Sequence, residues 1–267
     1  MEVLQAIILG IIQGITEWLP ISSSGHLVLA EHLLNLSQPI IFDIFLHLGS
    51  LIVILIVFRK KIIDLIKGFF RWEKEKVDFV LYLVIASIPI ALVGFFLNDF
   101  IKSIFNEPST VGYGLLFTSV LLFLSQFQIT NKNKKTTNNE SNKVNKDNPL
   151  NFINTAFMGI AQAFAILPGV SRSGSTISTG LMQSAKKEDV AFFSFMMFIP
   201  AILGASILEI GNITSITDSG ALLVGTLTTI IVGYLSLRLL LNIISRGKFH
   251  YFSYYCLVLG LVVLVFL

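Results

Sequence analysis

Charged residues are scarce in this chain. Asp, Glu, Lys and Arg make up 13% of its 267 residues, about half of the roughly 25% that soluble domains carry. Hydrophobic residues make up 54%, and the mean hydropathy is +0.80. Too little polar surface remains to coat a water-soluble globule. An ordinary cytosolic enzyme, a disordered chain and a nucleic-acid binder are all excluded. Cysteine is nearly absent: Cys256 stands alone, so no disulfide can form within the chain, and it reads as a small hydrophobe in an apolar stretch. The N-terminus shows no basic n-region and no small-residue cleavage site, so no cleaved signal peptide is expected. A zinc-protease helix, a Walker loop and a nucleophile elbow are also missing. The class that remains is an integral membrane protein.

The long hydrophobic runs support this. Six predicted spans cover Ile40–Phe58, Val77–Leu97, Val111–Ile129, Asp189–Ile210, Gly220–Leu241 and Phe252–Leu267, each near the ~20 residues that a bilayer requires. Tyr251, Phe252, Tyr254 and Tyr255 form an aromatic belt before the last. Two segments, Met1–Leu36 and Phe152–Ala185, are interrupted instead. The first breaks at Pro20-Ile21-Ser22-Ser23-Ser24-Gly25 and the second at Pro168-Gly169-Val170-Ser171-Arg172-Ser173-Gly174. Two spans and a turn would need more than ~40 residues, so each segment reads as a re-entrant helical hairpin. The predicted fold is all-α and polytopic, with six transmembrane helices and two re-entrant hairpins in one domain.

The net charge of +3 matters less than where the charges lie. Arg59, Lys60, Lys61, Lys67, Arg71, Lys74 and Lys76 crowd one loop, and Lys132, Lys134, Lys135, Lys143 and Lys146 a second. Lys186 and Lys187 mark a third, Arg246 and Lys248 a fourth. The positive-inside rule puts all four on the cytoplasmic side. The first hairpin then enters from outside and the second from the cytoplasm. Halves 1–129 and 151–267 are joined by an Asn/Lys-rich linker, 130–150, read as solvated and without a role of its own. The halves share a repeat: Gly10-Ile11-Ile12-Gln13 matches Gly159-Ile160-Ala161-Gln162, and Ser22-Ser23-Ser24-Gly25 matches Ser171-Arg172-Ser173-Gly174, at one offset of 149 residues. Each half holds an odd number of spans, so the second is inverted.

Ionisable groups within apolar segments mark function by default. Gln13 and Glu17 lie four apart and share a helix face, and Pro20 stops that helix. Ser22, Ser23 and Ser24 precede the next helix near Gly25 and His26, where serines cap free N–H groups and a helix N-terminus attracts anions. The second motif repeats this with Ser171, Ser173 and Thr176 and adds Arg172. Gly169 and Gly174 would let the backbone approach a ligand. This arrangement suggests a site for a phosphorylated ligand, and access from lipid makes a lipid phosphate or diphosphate the expected substrate. Arg172 would grip phosphate, Glu17 would hold a divalent metal or act as base, and a serine could attack phosphorus. The plainer readings are small residues that only permit helix packing, Arg172 as a structural ion pair with Glu17, and His26 as a packing residue. His47 and Asp43 are read as interface residues rather than catalysts.

The stretch from Gln13 to His26, Gln-Gly-Ile-Thr-Glu-Trp-Leu-Pro-Ile-Ser-Ser-Ser-Gly-His, resembles the first signature of the bacterial undecaprenyl-diphosphatase family, the bacitracin-resistance proteins. Pro168 to Thr176, Pro-Gly-Val-Ser-Arg-Ser-Gly-Ser-Thr, resembles its second. The resemblance implies a multi-pass cell-membrane enzyme that hydrolyses undecaprenyl diphosphate to undecaprenyl phosphate and inorganic phosphate. That reaction recycles the lipid carrier for peptidoglycan and confers bacitracin resistance. It also implies that Glu17, Ser23, His26 and Arg172 serve activity, that a divalent cation such as Mg²⁺ or Ca²⁺ is required, and that the site opens to the outer face. The family carries Glu or Gln where this chain has Gln13. That weakens any scheme with two carboxylate ligands and leaves Glu17 as the metal residue. A polyprenyl-phosphate transporter is the alternative, since inverted repeats with broken helices are transporter architecture. Monomer and homodimer both stay open.

Overall fold

A computed structural model describes residues 2–34, 36, 40–105, 107–137, 150–183, 185–210 and 219–267. The described residues are helical, with no strand. In chain order the helices are α1 (Val3–Thr16), α2 (Ser23–Leu34), α3 (Ile40–Val57), α4 (Arg59–Phe70), α5 (Lys74–Phe96), α6 (Asn98–Phe105), α7 (Pro108–Thr137), α8 (Phe152–Phe164), α9 (Arg172–Met182), α10 (Lys187–Ile210), α11 (Ser219–Ser245) and α12 (Phe252–Phe266). Five of them, α5, α7, α10, α11 and the segment ending in α12, are long and apolar enough to cross a membrane. A sixth passes only as the pair α3 and α4, which bends by 77° after Val57. The outward faces agree with a bilayer: Leu81, Val84, Ile88, Leu92 and Phe95 line α5 exposed, as do Leu223, Leu227, Ile231, Leu235 and Leu239 on α11. Such stripes have no place in water and need none in lipid. The chain is a multi-pass membrane protein.

Each predicted span meets a helix, and the interrupted segments meet the short pairs α1/α2 and α8/α9. The differences lie between them. The basic stretch 59–76, expected as a loop, contains α4. Its charges hide two apolar rows at helical spacing: Ile62, Leu65 and Phe69 are half-buried, whereas Ile63, Ile66 and Phe70 are exposed. α6 was also not expected. α7 runs on to Thr137 through residues assigned to the linker, because polar residues lacking Gly and Pro do not stop a helix. Residues 138–149 of that linker lie outside the described residues.

Packing exchanges elements between the halves. α1 lies along α11, and α8 lies along α5. Both contacts are backbone-close. A Cβ on Gly10 would sit 2.6 Å from the Gly225 carbonyl oxygen, and one on Gly159, its counterpart at the offset, 2.5 Å from that of Ala86. No side chain fits at either, so close helix approach explains both glycines. α10 forms the centre of the core. Trp18, fully buried just past α1, stands edge-on to Phe195 and Phe198 of α10 at 5.9 and 5.7 Å. That anchor holds the first break against the core.

Candidate active site

The two breaks are built alike. Ser22 Oγ accepts the Gly25 N–H at 3.2 Å, and Ser171 Oγ accepts the Gly174 N–H at 3.0 Å. Each capping serine also lies 3.3 Å from the hydroxyl two residues on, Ser24 or Ser173. These pairs stand at the offset seen in the sequence. The chain enters the caps differently: Ser22 takes φ 69°, left-handed for a residue with a Cβ, whereas Ser171 does not. A non-glycine residue held there stores about 1–3 kcal/mol.

Glu17 is the hub. It is buried, and both carboxylate oxygens are engaged. Ser23 Oγ donates to Oε2 at 2.6 Å, and Gln13 Nε2 donates to the same oxygen at 3.1 Å. Arg172 Nη2 donates to Oε1 at 2.8 Å, so the two breaks meet through an ion pair. Arg172 Nη1 reaches the Ser194 carbonyl at 3.4 Å, and the guanidinium lies 4.4 Å from the Phe198 ring. Thr176 faces α10, where its hydroxyl meets Ser194 Oγ at 2.6 Å. Ser173 Oγ donates to the Leu19 carbonyl at 3.4 Å.

The glycines lie at the contact between the breaks and α7. A Cβ on Gly169, whose φ is +84°, would come 2.2 Å from the Val111 carbonyl oxygen. Gly25 faces Gly169 and Val111, and Gly174 faces Ser171 and Thr118. Thr118 of α7 ties the second break down: it accepts the Ser171 N–H at 2.9 Å and donates to the Gly169 carbonyl at 3.1 Å.

His26 points elsewhere. Its Nδ1 lies 2.8 Å from the Ser22 carbonyl, which can only accept, so Nδ1 carries the proton. Nε2 therefore accepts from the Tyr255 hydroxyl at 2.7 Å, with the rings stacked. Burial lowers its pKa, ahead of the backbone bonds to Ser22 and Ile21 that raise it. No hydrogen bond joins His26 to Glu17 or Ser23 among the described residues. It borders an apolar groove of about 490 Å³, lined by Ile11, Ile15, Leu19, Ile21 and Phe252 among others.

Two residues belong to the Glu17 cluster that sequence reasoning left out. His47 of α3, read as an interface residue, places Nε2 3.8 Å from Glu17 Oε2. Ser50, one turn on and fully buried, lies 3.4 Å from Gln13 Nε2. The signal was present in the sequence as an ionisable residue inside an apolar run. Nothing local showed which way it faced. Two buried polar atoms here have no partner: Gln13 Oε1 and Trp18 Nε1.

Comparison with known proteins adds the chemistry. The family model described as bacitracin resistance protein BacA matches residues 6–262. The undecaprenyl-diphosphatase of Methanobrevibacter smithii is 41% identical, covering 98% of this chain and 97% of its own. That of Korarchaeum cryptofilum is 37% identical, covering 99% of each. Undecaprenyl-diphosphatase 1 of Bacillus cereus is 37% identical, covering 99% of this chain and 98% of its own.

Proposed function

The chain belongs to the bacitracin resistance protein BacA family, and from that membership we propose that it hydrolyses undecaprenyl diphosphate to undecaprenyl phosphate and inorganic phosphate. The relatives' names favour this over lipid transport. The observation that carries the mechanism is the 2.6 Å bond from Ser23 Oγ to Glu17 Oε2. A hydroxyl held on a carboxylate is the pairing a serine nucleophile needs. Ser23 Oγ attacks the terminal phosphorus and its proton passes to Glu17. The bond from that phosphorus to the bridging oxygen breaks, releasing undecaprenyl phosphate. Water then frees inorganic phosphate from Ser23. Arg172 carries five N–H donors and uses two on Glu17 and Ser194. The others can hold the transferring phosphoryl oxygens, where charge stabilisation dominates the rate. The N-termini of α2 and α9 add positive potential at the same place.

A divalent cation fits these residues. Mg²⁺ commonly binds through one or two carboxylates plus substrate phosphate; Glu17 Oε2 would supply the first, and Gln13, whose buried Oε1 lacks a partner, would supply a neutral oxygen with its amide turned over. The cation would neutralise charge on the diphosphate. Support for the membrane arrangement comes from packing: α1/α2 and α8/α9 are each too short to cross and stand at one repeat offset, and α1, α8 and α9 dock on the partner half. We read them as re-entrant hairpins in an inverted repeat, with α3, α5, α7, α10, α11 and α12 as six spans. The basic segments would lie at the cytoplasmic face of the cell membrane and the site would open outward.

Phosphate release from undecaprenyl diphosphate by the purified protein in detergent tests the reading. Release that needs a divalent cation and is lost in Ser23→Ala is expected, with trapped phosphoserine in the wild type. Release that survives Ser23→Ala would move the attack to water, and no release with any metal would remove the phosphatase assignment.

A further inference from the structure

His47 sits on α3, and its Nδ1 lies 2.8 Å from the carbonyl of Asp43 one turn earlier. A carbonyl only accepts, so this bond keeps the proton on Nδ1 and leaves the lone pair of the neutral ring on Nε2. Nε2 faces Glu17 Oε2 at 3.8 Å. With the ring neutral, an imidazole lone pair and an anionic oxygen face one another, and two such atoms repel unless a proton or a cation stands between them. Gln13 adds a buried carbonyl oxygen without a partner, on the side chain whose Nε2 already bonds Glu17 Oε2. Turning that amide over would bring Oε1 to the carboxylate side, and the Ser50 hydroxyl, which donates to the Leu46 carbonyl at 3.3 Å, would have to swing from that carbonyl to donate to it.

We propose that His47 Nε2 is a ligand to the divalent cation of this site, together with Glu17 Oε2 and Gln13 Oε1. This rests on the metal reading above and deepens it. The spacing is near what is needed: donors each about 2.1 Å from one ion stand roughly 3–3.5 Å apart, so the 3.8 Å seen would close by about 0.3–0.8 Å. The support is suitable too, since a ligating histidine characteristically gives its other N–H to a carboxylate or a backbone carbonyl. His26 has the same Nδ1 support, but the Tyr255 hydroxyl occupies its Nε2. His47 is therefore the imidazole that, when neutral, turns a free lone pair towards Glu17. A nitrogen donor changes which ion the site favours. Mg²⁺ and Ca²⁺ are oxygen-seeking, whereas imidazole suits later divalent ions. The site should thus hold Mn²⁺ more tightly than Mg²⁺.

The test is pulsed electron paramagnetic resonance on the full-length protein in detergent, loaded with Mn²⁺. A ¹⁴N modulation from coordinated imidazole is expected, and it should change to that of ¹⁵N in wild-type protein grown on ¹⁵N-histidine, which needs no variant. His47→Gln should lose the signal and weaken Mn²⁺ binding by about tenfold or more, while His26→Ala keeps the signal. Mn²⁺ bound in a Glu17-dependent manner without any nitrogen modulation would overturn the role of His47 and leave the metal reading standing, with His47 as an ion-pair partner of Glu17. Absence of any Glu17-dependent Mn²⁺ binding, tested with Glu17→Gln, would overturn both.

Discussion

Glu17 answers to four side chains from three parts of the chain, and each contact asks something different of its partner. In this structure Ser23 donates from a hydroxyl, Gln13 from an amide and Arg172 from a planar fork. The arginine position is the sharpest test. A lysine keeps the charge but offers a point donor where a fork binds Glu17 and reaches Ser194. Arg172→Lys should fold normally and lose activity by about 10²–10³-fold, the scale of removing one donor to the transition state, or about 2.7–4 kcal/mol. Phosphate release at saturating substrate, with thermal unfolding alongside, checks this. An unchanged rate would reduce Arg172 to a structural ion pair.

At the scale of elements, α4 is the piece whose setting the surrounding sequence hid. It leaves α3 at 77° and so turns away from that helix's axis. It exposes Ile63, Ile66 and Phe70 beside Arg59, Lys60, Lys61 and Lys67, and Trp72 follows it 81% exposed. An amphipathic helix with basic flanks belongs in the plane of the headgroups. The two tryptophans allow a clean measurement, because Trp18 is fully buried and only Trp72 can meet lipid. In vesicles, lipids brominated near the headgroup end of their chains should quench Trp72 more than lipids brominated near the tail end. Stronger quenching from the deep bromines would place α4 inside the hydrocarbon instead.

At the scale of the whole molecule, the chain is suited to a measurement of sidedness. Its one cysteine, Cys256, is fully buried and gives no background. Lys74, Lys186 and Lys248 are exposed at three separate turns, and Leu97 is exposed at the other end of α5. Cysteines placed singly at the three lysines should react with an impermeant thiol reagent only from the cytoplasmic side, and one at Leu97 only from outside. Labelling of Lys186→Cys from the side opposite to Lys74→Cys would break the inverted arrangement. The helices were largely legible in the sequence. Long apolar runs have one stable form in lipid, so α3, α5, α7, α10, α11 and α12 stood where hydrophobicity put them. α4 and α6 were missed because charge or shortness masks an apolar row in a linear reading.

Sequence alone determined the membrane class, the two breaks and the shared face of Gln13 and Glu17. Each of these follows from composition or from spacing along a single helix, which local chemistry dictates. Only the tertiary structure decided what lies across from that face. It brought Arg172 from 155 residues away onto Glu17, turned His26 towards Tyr255 and brought His47 to the carboxylate. Those outcomes depend on how α1 docks on α11 and how Trp18 seats against α10. Such contacts join residues with no local relation, so no periodicity records them.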